Sequence, residues 1–212
     1  MRRAGRSRTA ATLARCLGVL ALGVLVTTGA LAAGPAQPVE RLHGKLLEIM
    51  RNAHSLGYAG RRDAIAPVIE QTFDLEFVAR LSLGSHWSDL DAQQRARFVA
   101  AFGELSKATY AARFDGYSGQ TFETISVVEA RRGRMLVRTL LKTQSGAEDV
   151  RLDYLLHQAD GEWQIVNVIA DGISDLGLKR ADYGAVMSAQ GFDALLEKLE
   201  QQARDYASGA GS

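Results

Sequence analysis

Between Val150 and Ser174 the chain reads VRLDYLLHQADGEWQIVNVIADGIS, two apolar runs parted by Asp160-Gly161. A two-residue hairpin turn needs positive φ at both central positions, and Asp-Gly meets that need. Register follows from it. Leu156 is set against Ile165, Tyr154 against Asn167 and Leu152 against Ile169, while Asp153, Leu155 and His157 point to the opposite face. Ser145-Gly146 reads as a second turn, setting Val137 against Tyr154, Thr139 against Leu152 and Leu141 against Val150. The two turns agree on one apolar face. A sheet so patterned needs a cover, and whether protein alone fills the space beneath decides what it can do.

The amino terminus stands apart from this fold. Arg2, Arg3, Arg6, Arg8 and Arg15 precede an apolar run from about Leu17 to Leu31, and Ala30-Leu31-Ala32 supplies small residues at a cleavage site. That is the three-part plan of a signal peptide over residues 1–32. The run is short for a membrane span, which takes roughly 20 apolar residues. Cleavage would remove Cys16, the single cysteine, and five of the 25 basic residues, leaving 20 basic against 24 acidic. A mildly acidic, cysteine-free exported chain excludes disulfide chemistry and argues against a nucleic-acid partner.

Residues 33–207 then form a single α+β domain. Leu42, Leu46, Ile49, Met50 and Ala53 recur at helical spacing between Pro38 and Leu56, predicting one helix stopped near Gly57. A short helix is expected over 63–72 with Pro67 in its first turns. Asp74 can cap a helix ended by Gly84, and Asp91 with Gln94 forms a capping-box pattern opening a long helix to about Phe114. Beyond Gly116 the period alternates. Strands are expected over 122–129, 135–143, 150–158 and 163–170, making a four-strand antiparallel meander. The parity of Ile125 and Val127 disagrees with that of Phe122. Helices over 179–190 and 192–206 close the chain, before a polar tail at 208–212. N- and C-terminal helices against one face of a curved meander make a cone that can hold a cavity.

The search for catalytic groups is mostly negative. His43, His54, His86 and His157 are isolated, and HExxH, paired-cysteine, Gly-x-Ser-x-Gly and P-loop patterns are absent. Asp153, His157 and Asp171 are the residues an isomerase or dehydratase on such a cone would use. Asp153, however, falls opposite Arg138, an ordinary cross-strand charge pair. The expectation is a protein without enzymatic activity, metal or cofactor. An adaptor that binds nothing and only stabilises a membrane complex is a further reading, in which Leu152→Asn with folding retained would leave its function intact. Periodicity does not distinguish a filled core from a lined pocket. Asn167 on the apolar face must join a hydrogen-bond network or meet solvent or ligand.

FDLEFVARLSLGSHWSDLDAQQRARFVAAFGELSKATYAARF, with its Arg80, Gly84, Trp87, Phe98 and Tyr110 in that order, resembles the MlaC-type proteins, auxiliary components of lipid-transporting ABC systems (the toluene-tolerance family). DYLLHQADGEWQIVNVIADGIS and LKRADYGAVMSAQGFDALLEKL match as well, and look most like HpnM, the hopanoid-associated branch. The resemblance implies a nuclear-transport-factor-like cone with a helical subdomain. It also implies a periplasmic carrier that holds the acyl chains of a phospholipid or hopanoid-type lipid, with bound lipid as ligand rather than cofactor. Implied partners are an inner-membrane ABC transporter complex with an MlaD-like subunit and an outer-membrane lipoprotein/porin complex. The implied pocket is lined by Phe77, Leu81, Phe98, Phe102 and Tyr110 from helices and Val137, Leu141, Leu152, Tyr154, Leu156 and Ile165 from the sheet. Arg80 and Arg180 are head-group or structural residues. The stretch VIADGISDL departs from commoner members.

Overall fold

The computed structural model describes residues 34–144 and 148–210. The expected signal segment and the turn at Ser145-Gly146 lie outside the described residues, as do positions 211 and 212. Among the described residues six helices and one sheet follow in order: α1 Gln37–Arg51, α2 Ala53–Thr72, α3 Leu75–Leu83, a 3₁₀ turn Gly84–Asp89, α4 Ala92–Arg113, strands β1 Thr121–Ala130, β2 Arg134–Lys142, β3 Val150–Ala159, β4 Glu162–Ala170 and β5 Ile173–Ser174, then α5 Asp175–Gln190 and α6 Phe192–Ser208. The sheet runs β1-β2-β3-β4-β5 with every pairing antiparallel.

Asp160-Gly161 and Asp171-Gly172 make the turn their chemistry favours, with φ of 51° and 85° at Asp160 and Gly161 and 47° and 85° at Asp171 and Gly172. The second turn creates β5, a strand too short to show as alternation, so the sheet has five strands where the pattern suggested four. Between β2 and β3 the expected register holds, with Val137 on Tyr154, Thr139 on Leu152 and Leu141 on Val150. Between β3 and β4 it holds only beside the turn. Leu156 pairs with Ile165, but Val166 is an extra residue, so Asn167 meets Leu155, Val168 meets Tyr154 and Ala170 meets Leu152. Strict alternation assumes no bulge, and a bulge moves every later residue by one place. A second bulge at Ile125 in β1 resolves the parity conflict there, because Phe122 pairs with Leu141 and Val127 with Val137.

The helical caps follow the sequence more closely. Asp74 accepts a hydrogen bond from the Phe77 amide at 2.9 Å, and Asp91 and Gln94 form the reciprocal capping box at 2.8 and 3.0 Å. The amino-terminal helices differ from expectation. α1 ends at Asn52, and Gly57, at φ 59°, bends α2 instead of ending a helix. Pro67 therefore sits well inside α2. α5 begins at Asp175, earlier than expected, because Ser174 caps it by accepting from the Gly177 amide at 3.0 Å.

Two apolar cores result. In one, Leu42, Leu46 and Ile49 of α1 and Ile65 and Ile69 of α2 pack on Val137, Tyr154, Leu156 and Ile165 of the sheet. In the other, α3, α4 and α6 gather Leu83, Phe98, Phe102, Leu195 and Leu199 around Val166. The bulge therefore lets β4 give Ile165 to one core and the next residue, Val166, to the other.

Gly84 closes α3 at φ 58°, and a Cβ built there would lie 3.1 Å from Nε and Nη2 of Arg180. Arg180 thus rests on the end of α3. Backbone strain at such a position costs about 1–3 kcal/mol for a residue with a side chain. We expect Gly84→Ala to lower unfolding free energy by that amount in urea titration, with Arg180→Ala relieving the crowding but not the φ strain.

Candidate functional site

The two cores do not meet everywhere. Along their seam lies a cavity of about 520 Å³, walled by Val78, Phe102, Leu105, Val166 and Tyr183 from the helical core and by Ile69, Leu152, Tyr154 and Val168 from the sheet-facing core. Phe73, Leu75, Tyr110 and Phe114 complete the apolar wall, and Arg113, Asp175, Lys179, Asp182 and Asp205 stand at its polar margin. A concave apolar interior with a few charged groups at its edge is the ordinary form of a small-molecule site.

The wall residues are held from behind. Tyr154 shares a 2.9 Å hydrogen bond between its hydroxyl and Nε2 of His43, whose ring stacks on Phe122 with centroids 3.9 Å apart. Burial holds His43 neutral by pushing its pKa down to about 4. Tyr110 packs edge-on to Phe73 and parallel to Phe114. Burial raises the pKa of Tyr110, Tyr154 and Tyr183, so the cavity meets neutral phenols at physiological pH. Asn167 is satisfied within the protein: its Nδ2 donates to Ser174 Oγ at 3.0 Å and its Oδ1 accepts from the Leu176 amide at 3.1 Å. It pins the β5–α5 junction beside the cavity.

Of the lining expected from the sequence, Phe102, Tyr110, Leu152 and Tyr154 lie on the cavity. Phe98, Val137, Leu156 and Ile165 are instead fully buried within the two cores. Leu141 packs at the edge of the sheet-facing core, and Leu81 is half-buried off the cavity. Phe77 lies against His157, with Arg80 and Arg134 over its ring at 5.0 and 5.8 Å. Arg80 and Arg180 both lie away from the cavity margin. Periodicity reports which face is covered and is silent about where the cover leaves a gap. Tyr206 also lines the cavity and was legible in part, since Leu195, Leu199 and Ala203 recur along one side of α6 and Tyr206 follows Ala203 by three.

The groups weighed for catalysis are dispersed. His157 Nε2 lies 2.9 Å from Asp74 Oδ2, tying β3 to the start of α3. Asp171 Oδ1 accepts from the Arg151 amide at 2.9 Å. Asp153 is buried, but its nearest cation is Arg151 Nε at 3.6 Å rather than the Arg138 across the strand pair. None of the three lines the cavity. Among the described residues no group of His, Cys, Asp or Glu is arranged to hold a metal ion, and no described helix is long and apolar enough to cross a membrane.

Fold and site together define an α+β domain in which a five-strand antiparallel sheet and a helical layer enclose an apolar cavity open at a charged margin. The chain belongs to the MlaC protein family, whose model matches residues 40–201. It is 27% identical over 133 residues to the intermembrane phospholipid transport system binding protein MlaC of Haemophilus influenzae, an alignment covering 61% of this chain and 62% of that protein. The match thus spans under two thirds of the relative's length. The fold is that of the phospholipid-binding protein from Ralstonia solanacearum, solved in complex with a phospholipid. The two superpose with a TM-score of 0.72 at 18% identity over 82% of this chain and 99% of that one.

Proposed function

We propose that the protein is a periplasmic carrier that takes the acyl chains of a phospholipid into the cavity between its two cores. The observation that carries this reading is the cavity of about 520 Å³, apolar within and charged at its margin. Each methylene removed from water contributes about 0.8 kcal/mol, so a bare lipid meets a barrier of tens of kcal/mol in crossing an aqueous gap. A closed apolar wall lowers that barrier without covalent chemistry. The Haemophilus relative's role and the phospholipid held by the Ralstonia protein support the same assignment. Exchange partners in this reading are an inner-membrane ABC transporter complex and an outer-membrane complex, with an export signal over residues 1–32 placing the carrier between them.

Solvent extraction of the purified protein followed by mass spectrometry tests the assignment. We expect near-stoichiometric phospholipid. A hopanoid-type lipid in its place would keep the carrier and change its cargo to the one suggested by the HpnM-like segments. An extract without lipid, together with no uptake from vesicles, would refute it.

A further inference from the structure

The margin of the cavity carries a specific distribution of charge. Lys179 binds Asp175 at 2.5 Å, and Asp182 is matched by Lys198 at 2.5 Å, so those carboxylates already have cations. Two groups are left over. The Arg113 guanidinium makes no hydrogen bond or ion pair among the described residues. The Asp205 carboxylate accepts from the Gln201 side-chain amide, at 2.6 Å, and has no cation among the described residues.

These two opposite charges share one margin because of how their helices run. Arg97 and Asp193, near the starts of α4 and α6, approach to 3.6 Å, and Arg113 and Asp205 lie near the far ends, so the helices lie side by side in the same direction. Both therefore bring carboxyl-terminal ends to the opening, where the helix dipole favours positive charge. Arg113 answers that field at the end of α4. At α6 the last turn offers no basic residue. Asp205 and the helix end thus make a spot that favours a cation, on the same cavity margin as a guanidinium that favours an anion.

We propose that this margin selects a zwitterionic phospholipid headgroup, its phosphate at Arg113 and its ammonium at Asp205. The proposal rests on the carrier reading above. An anionic headgroup brings the phosphate without the ammonium, leaving Asp205 unmatched and close to negative charge. A zwitterion satisfies both. Phosphatidylethanolamine is therefore preferred over phosphatidylglycerol, at a ratio of about two to five, the factor expected of one solvent-exposed ion pair.

The experiment uses vesicles of equimolar phosphatidylethanolamine and phosphatidylglycerol with matched acyl chains, and mass spectrometry of the lipid each purified protein takes up. The native protein should be enriched in phosphatidylethanolamine by that factor. Asp205→Asn should bring the ratio of the two lipids taken up to about one, and Arg113→Gln should lower the uptake of both lipids. Equal uptake of the two lipids by the native protein, or enrichment that survives Asp205→Asn, overturns headgroup selection and leaves the carrier reading standing. No uptake of either lipid by the native protein overturns both.

Discussion

Val168→Trp should cut lipid uptake at least tenfold and leave the protein folded. Val168 is opposite Tyr154 in the sheet, only partly buried, and lines the cavity. An indole there projects into empty space rather than into packed core, and tryptophan suits a strand position, so the 1–3 kcal/mol usual for overpacking should be largely avoided. Binding has no such escape. Excluding only two methylenes of an acyl chain removes about 1.6 kcal/mol, already more than tenfold in affinity. Vesicle uptake measured beside thermal unfolding separates the effects. A tryptophan variant that melts like the native protein and carries as much lipid would show that the cavity is not the binding site. Val168→Ala is the control, and its uptake should stay within a factor of about four, the share of one methylene contact at the wall.

The choice of Val168 shows what could be read from the chain before its structure. Turn chemistry was legible: a two-residue hairpin turn demands two positive φ angles, which Asp160-Gly161 supplies, and the strand pairing beside it starts as that turn requires, with Leu156 on Ile165. So were the caps at Asp74 and Asp91, because a carboxylate placed before an apolar helical stripe has orphan amides within reach. The bulges were not legible. At Ile125 the sequence left a mark, a break in alternation between Phe122 and Val127. At Val166 it left none, because Ile165 and Val166 are both apolar and either could have faced the core. Strict alternation therefore sets Asn167 opposite Tyr154, where the structure puts Val168.

The cavity was hidden for a related reason. Phe98 and Phe102 share one helical face, yet Phe98 is sealed in the core and Phe102 borders the gap. Which of them does so depends on where two cores part, and that is set by the path of β4 and the start of α5. Asn167 connects these, since its amide fixes the turn into α5 and α5 brings Leu176 and Tyr183 to the wall. A lone polar residue in an apolar strand was the visible sign of that junction, although the sequence gives no hint of its partner.

Acid should weaken this protein through His43. In the folded chain the imidazole is 5% exposed, hydrogen-bonded to Tyr154 and stacked on Phe122, and its pKa falls from the ordinary 6.5 to about 4. The sign follows from linkage. Between pH 6.5 and 4 the unfolded chain takes up a proton at this histidine that the folded chain refuses, so stability is lost as pH falls through that window. The difference of about 2.5 units corresponds to about 3 kcal/mol, a large part of the 5–15 kcal/mol that holds a typical domain together. Carboxylates add their own acid sensitivity below pH 5, so the diagnostic quantity is a difference between two proteins. His43→Gln keeps an amide able to reach Tyr154 and carries no titrating proton. Urea unfolding from pH 7.5 to 4.5 should show a shallower decline for the variant than for the native protein, with the curves separating below pH 6.5. Parallel curves would mean that His43 accepts its proton without leaving the core. Because the same hydrogen bond steadies Tyr154 in the cavity wall, lipid retention should decline over the same pH window in the native protein and less steeply in His43→Gln.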